Sequence, residues 1–329
     1  MSGGCFCVCA EKYTAAASYT ISCRRLDMNT KQLGRLILRL ILWYMIVAML
    51  CAAIDVLKPG KYTFLTTALP ELILVFEALI SAKRLKIPLP QIKRPQLKTI
   101  LLITVTAALF YILQIAVGLP MERFNAETKE LEIQMLQTMS AIPMILVLSI
   151  ITPAAEEFVF RGFIFEGYRK HLPYIEAAAL SAVIFAAFHM NIAELPYTFL
   201  LGMVSAAVLE ITGNLFYSIL LHFLVNMAGS LILLVPKLRI MDQSLRHAAV
   251  LYFTKQPGYR DFPEKYALIV ILAVLSLIGL LFLDKMFRVK EPLLQQMHRQ
   301  RPKILTASVW ISILLLLTVM TLTYNVNFT

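Results

Sequence analysis

The sequence predicts an all-α fold, a polytopic membrane helix bundle of about nine transmembrane helices, and three observations carry that reading. Apolar residues fill 59% of the chain and charged residues only 16%, against roughly 45 to 50% and 25% in soluble domains, and the mean hydropathy is +0.73. Apolar runs of about 17 to 25 residues, the length a helix needs to cross the hydrocarbon, recur along most of the chain. Basic residues gather in the short segments between those runs, as in cytoplasmic loops of membrane proteins. The net charge of +11 is therefore read as topogenic charge among membrane lipids. It does not point to nucleic acid.

Residues 1–27 differ in texture from the rest of the chain. They hold Cys5, Cys7, Cys9 and Cys23, with no second Cys or His cluster to complete a zinc finger and no apolar core of a signal peptide. The segment reads as a disordered Cys-containing tail, or as sequence ahead of a true start at Met28. Residues 28–135 form the N-terminal transmembrane part, with a first span over about Leu36–Leu57, a second over Thr63–Ala82 and a third over Leu97–Gly118. The loop with Lys83, Arg84, Lys86, Lys93, Arg94 and Lys98 is basic and broken by proline, which places it and the N-terminus in the cytoplasm. After the third span, Glu122, Glu127, Glu130 and Glu132 make an acid-rich connector, expected outside as an amphipathic interfacial helix.

Residues 136–236 hold four spans: Ile142–Tyr168, Tyr174–Met190, Leu195–Ile211 and Leu215–Val235. Their connectors have room only for turns, so the four must form a compact antiparallel group. Ala177, Ala178, Ala179, Ser181, Ala182, Ala186 and Ala187 in span five, and Gly202, Ser205, Ala206 and Ala207 in span six, offer small faces for close helix approach. Residues 237–265 read as a polar external loop. Residues 266–329 hold two C-terminal transmembrane helices, at about Tyr266–Phe287 and Leu305–Tyr324.

The fourth span carries Glu156, Glu157 and Arg161 inside an apolar run. A charge at mid-bilayer costs roughly 2.5 to 3.5 kcal/mol on translocon scales, so three together need partners, a wet cavity or a task. Glu157 and Arg161 are four apart with the acid first, the favoured order for an ion pair on one helical face. Glu156, about 100° round the helix, is left free to face a cavity. Pro153 just before them removes a backbone donor and suits a site opened to water.

Two histidines lie in other apolar runs. His189 has Phe185 one turn before it, and His222 has Asn226 one turn after it on the same face. A carboxylate, two imidazoles and an amide suit hydrolysis of an amide by activated water. Elsewhere, Glu71 follows Pro70 near an interface and is expected to be solvated. Glu77 is expected to be buried and paired with a neighbouring helix, and Asp55 and Glu210 lie near span ends.

Glu156-Glu157-x-x-x-Arg161, Phe185-x-x-x-His189 and His222-x-x-x-Asn226, in this order over about residues 140–235, resemble the three motifs of the CPBP family. These are the CAAX-processing and bacteriocin-processing intramembrane endopeptidases, also called Abi. The resemblance implies that Glu156 and His189 activate the attacking water, that His222 and Asn226 form the oxyanion hole, and that Glu157 and Arg161, with Phe185, support the framework. It implies a peptide or protein substrate entering from the membrane and leaves metal use open. The reading without a cofactor is favoured because, with Asn226 on the His222 face to help bind an oxyanion, His222 is better used as a donor than as a ligand. The variant with a metal would take zinc on His189, His222 and Glu156, as a metalloprotease. A rival reading keeps the fold as a non-proteolytic membrane scaffold or bacteriocin self-immunity protein. The location expected is a bacterial plasma membrane, multi-pass, with the N-terminus cytoplasmic. The proposed mechanism needs Glu156, at mid-span, to meet His189, near the outer end of the next span, so span five has to be short, tilted or set deep.

Overall fold

The computed structural model describes residues 30–58, 60–85, 92–118 and 138–234, with positions 121 and 136 and scattered helical positions from 267 to 279. The expectations for residues 1–27, the acid-rich connector, the loop 237–265 and the ninth span lie outside the described residues. The eighth is represented only by the scattered positions. Among the described residues the fold is all-helical, without a strand. The long helices are α1 (Thr30–Leu57), α2 (Thr63–Leu85), α3 (Leu97–Gly118), α4 (Ala141–Arg169), α5 (Tyr174–Phe188), α6 (Leu195–Thr212) and α7 (Leu215–Leu234).

Five stretches, lying in α1, α2, α3, α4 and α6, are long and apolar enough to cross a membrane, whereas α5 and the described apolar run of α7 are shorter. Large apolar side chains stay on the outside of the first three helices, among them Met49, Leu50, Phe76 and Leu101. On a soluble protein such a surface would be a liability. On an integral membrane protein it is the lipid face.

The buried core lies where α4 to α7 close on one another and on α2 and α3, with Leu33, Leu36, Ile37, Leu40 and Ile41 of α1 buried in the same cluster. The small faces expected of spans five and six meet as predicted. A Cβ on Gly202 would fall 2.7 Å from Ala182 Cβ and 2.9 Å from its Cα, so only glycine lets α5 and α6 approach this closely. Helix α6 then ends at Gly213, whose φ of 58° is the left-handed cap position that glycine fills without strain. At the far end of α4, Arg169 grips Glu210 of α6 through Nε and Nη2 at 2.7 to 3.1 Å. Asn214, just before α7, clasps the backbone of Lys93 through both its amide oxygen and nitrogen.

Two helices depart from regularity, and both departures position the site. Helix α4 contains two wide π-type turns, Leu146–Ile151 and Phe160–Phe165, on either side of a regular segment Thr152–Val159. Helix α5 has only 15 residues, about 22 Å of rise against about 30 Å of hydrocarbon. It stops at His189, which caps its C-terminal end. The chain turns there through Met190, at φ 51°, and Asn191 accepts the Ala193 N–H at 3.0 Å, satisfying part of the turn locally.

Candidate active site

Glu157 is the hub of the buried group. One carboxylate oxygen lies 3.1 Å from Arg161 Nε and the other accepts the His222 Nδ1 hydrogen at 2.9 Å. The i to i+4 pairing read from spacing is thus present, with both side chains at most 1% exposed. So buried a pair needs further support, because its mutual attraction only partly offsets the cost of removing two charges from water. Phe185 supplies part of it. Its ring lies 4.3 Å below the Arg161 guanidinium, a stacking that suits the flat, weakly hydrated cation.

The same ring meets His189 edge-on at 4.8 Å and His222 at 5.9 Å. Phe185 is therefore a spacer that touches the guanidinium and both imidazoles. Its backbone also works, since the Phe185 carbonyl accepts the His189 Nδ1 hydrogen at 3.0 Å. A carbonyl can only accept, so Nδ1 carries the proton and a neutral His189 ring presents the Nε2 lone pair. The one-turn interval between Phe185 and His189 makes that bond.

Glu156 stands apart from the pair, as spacing on one helix required. Its Oε1 lies 4.0 Å from His189 Nε2 and its Oε2 lies 3.6 Å from His222 Nε2. Three helices, α4, the end of α5 and α7, converge on this carboxylate. Glu156 and His189, expected at different depths from the sequence, meet here at the end of the 15-residue α5. Exposure marks the open side: the side chain of His189 is 21% accessible and that of Glu156 9%, whereas His222 keeps 2% and Glu157 none.

Asn226 shares the His222 face of α7, yet its Nδ2 is committed to an acceptor that spacing does not reveal, the Leu148 carbonyl at 3.0 Å. Ser181 of α5 likewise donates to the Phe160 carbonyl at 3.0 Å. Each wide turn of α4 is thus held by one side chain from a neighbouring helix. Ser149 and Ser230 add a buried hydroxyl bond of 2.9 Å between α4 and α7. Isolated serines in apolar runs are the sequence signal for these bonds, although as small residues they read as packing alone.

Glu71 requires a correction. It is buried, not solvated, and accepts a hydrogen bond from Tyr44 at 3.3 Å, while the Tyr44 ring packs on Phe188 at 4.2 Å. The reason is that α2 packs against the Thr152–Val159 segment of α4, which turns the face after Pro70 inward. Glu77 is buried and paired as expected, with Arg39 of α1 at 2.6 Å. Asp55 and Glu210 are also paired, with Thr66 and Arg169.

The donors His189, His222 and Glu156 are chemically a zinc set. Two ligands of one tetrahedral zinc, each about 2.0 to 2.1 Å from the ion, lie about 3.3 to 3.4 Å apart. The spacings of 4.0 and 3.6 Å are wider, and among the described residues no group of three His, Cys, Asp or Glu side chains has the arrangement of a metal site.

No curated protein and no solved structure matches the chain. Residues 138–228 match the family model described as type II CAAX prenyl endopeptidase Rce1-like. That segment holds every residue of the Glu156, His189 and His222 constellation. By this match and the three motifs it contains, residues 138–228 are similar to the type II CAAX prenyl endopeptidases.

Proposed function

We propose that this protein is an intramembrane endopeptidase that hydrolyses a peptide bond of a membrane-associated protein or peptide, using water activated by Glu156 and His189. The observation that carries the reading is the approach of Glu156 Oε1 to His189 Nε2 at 4.0 Å on the accessible side of the group. With Nδ1 of His189 protonated, both facing atoms are acceptors, and one water beside them donates a hydrogen to each. Its oxygen lone pairs then point away toward an incoming carbonyl. Glu156 takes a proton as the oxygen bonds to the carbonyl carbon, and the carbonyl oxygen becomes an oxyanion. Asn226 supplies an amide hydrogen to that oxyanion, and His222, when protonated on both nitrogens, donates from Nε2 while Nδ1 stays bonded to Glu157. Collapse breaks the C–N bond, and the proton held by Glu156 passes to the leaving amine.

Glu157, Arg161 and Phe185 hold this arrangement and touch no substrate. The substrate must be extended or unwound at the cut, because a helical amide is shielded by its own hydrogen bonds. A prenylated protein ending in a CAAX sequence is the first class to try, on the strength of the family description. The orientation proposed has the N-terminus and the Arg169–Lys170 end of α4 in the cytoplasm of a bacterial cell, following the basic flanks.

The test uses the full chain in lipid vesicles with a farnesylated CAAX peptide, together with a comparison of membrane proteomes from cells carrying wild-type protein or Glu156→Gln. The wild type is expected to cleave, and Glu156→Gln to lose about 10²- to 10⁴-fold in rate while inserting normally. Cleavage is expected to survive EDTA and phenanthroline, in keeping with the wide donor spacing. Full activity in Glu156→Gln would overturn the mechanism, and loss of activity on chelation, restored by zinc, would replace it with the metal-dependent one.

A further inference from the structure

Asn226 spends one amide hydrogen on the Leu148 carbonyl, and the sequence explains why that carbonyl is free. In the first wide turn of α4, bonds reach five residues back, and the Thr152 N–H goes to the Val147 carbonyl. The next carbonyl, that of Leu148, falls to residue 153. Residue 153 is proline and has no N–H. Leu148 is thus left with no backbone donor in the helix ladder, and a carbonyl so orphaned inside a membrane helix must be met by another group. The carboxamide of Asn226 meets it from α7, across the helix interface.

We infer that Pro153 is a positioning residue for the reaction: by withholding a donor from Leu148 it creates the acceptor that orients the Asn226 carboxamide, so that the second Nδ2 hydrogen is presented to the oxyanion. One nitrogen then serves two acceptors, a fixed carbonyl and a transient oxyanion. The Asn226 bond ties α7 to α4 at Leu148, eight residues before Glu156, with the Ser149 to Ser230 bond beside it. Pro153 acts through Asn226 and touches no substrate itself. This inference rests on the proteolytic reading for its catalytic half. Its structural half, the competition between residue 153 and Asn226 for one carbonyl, does not.

The experiment is a double-substitution cycle on the full chain in vesicles, with the farnesylated CAAX peptide as probe. Pro153→Ala restores an N–H that can bond Leu148, and Pro153→Gly does the same without adding a side chain, in case the first variant fails to insert. Asn226→Ala is expected to lower kcat by about 100-fold, as removal of an oxyanion donor does. Pro153→Ala is expected to lower kcat about tenfold with KM within about twofold, because the donor is released and not removed. The double variant should be no worse than Asn226→Ala to within about twofold. Full multiplication of the two effects, or a Pro153→Ala or Pro153→Gly enzyme within twofold of wild type, overturns the inference.

Thermal unfolding of the same four proteins in detergent is read in parallel and needs no substrate. Asn226→Ala should lower the melting temperature in the wild-type background, where Leu148 loses its last donor, and leave it unchanged in the Pro153→Ala background. Equal shifts in both backgrounds overturn the brace. A wild type that cleaves nothing while the melting cycle is coupled in this way leaves the brace standing and removes the proteolytic reading.

Discussion

Two regions of this molecule bury a carboxylate beside an arginine, and they do so differently. Between α1 and α2, Glu77 meets Arg39, whose side chain remains 45% exposed, and Ser81 one turn on donates to the same Glu77 oxygen at 3.2 Å. In α4, Glu157 meets Arg161 with both side chains essentially inaccessible, and His222 and Phe185 complete the enclosure. The first pair lets its cation reach out of the bundle, so little desolvation is suffered. The second gives up hydration of both charges. A fold gains little stability from such a pair, and what the pair provides here is placement: Glu157 fixes Nδ1 of His222, which leaves Nε2 facing Glu156.

The sharpest break in that comparison comes from removing one partner of the enclosed pair. Arg161→Leu leaves Glu157 charged and unanswered in the core, a loss of about 3 to 5 kcal/mol for a broken buried pair, and is expected to abolish folding or insertion in most preparations. Replacing both partners, as Glu157→Gln with Arg161→Leu, removes the uncompensated charge. It should recover most of the thermal stability in detergent and none of the activity, because His222 then loses its charged acceptor. An active double variant would show that the pair is structural only.

Phe185→Leu is the next largest effect. It keeps an apolar side chain of similar length, and the backbone carbonyl still accepts from His189, but the ring between Arg161, His189 and His222 is lost. A cation over an aromatic face contributes about 0.5 to 2 kcal/mol, more when desolvated, and the cavity left by the ring adds to it. The expectation is a fall in melting temperature of several degrees with kcat reduced more than KM is raised. An unchanged kcat would mean that the imidazoles hold their places without the spacer.

How much of this is legible in the sequence depends on what spacing can and cannot specify. The division between Glu156 and Glu157 is readable because residues on one helix share a fixed angular frame, and the two acids differ by about 100°. The small faces of α5 and α6 are readable because only small side chains permit such contact, as Gly202 against Ala182 confirms. Depth is not readable. Whether His189 reaches Glu156 depends on where α5 stops, and the apolar run continues past that stop to Met190 without a composition change. The Leu148 acceptor is hidden for a related reason: Pro153 announces a missing donor, but only a turn five residues wide makes Leu148 the orphan. Glu71 defeats the sequence reading because proximity to a proline says nothing about which neighbouring helix packs on that face.

The smallest effect belongs to the outer pair and sharpens the comparison from the other side. Glu77→Gln keeps the size of the side chain and an amide that can bond Ser81 or stay beside Arg39, while removing the charge. Arg39 is nearly half exposed and can be solvated by water or lipid headgroups, so it is not stranded as Arg161 would be. Partly exposed ion pairs contribute roughly 0.2 to 1 kcal/mol, and a shift of that size moves the melting temperature of a chain this large by only a few degrees. Activity should stay within about twofold of wild type, since α1 and α2 reach the site through Tyr44 and Glu71 and not through Glu77. Glu77→Gln protein that loses cleavage while keeping its melting temperature would contradict this division, because it would mean that the outer pair also positions the reacting groups.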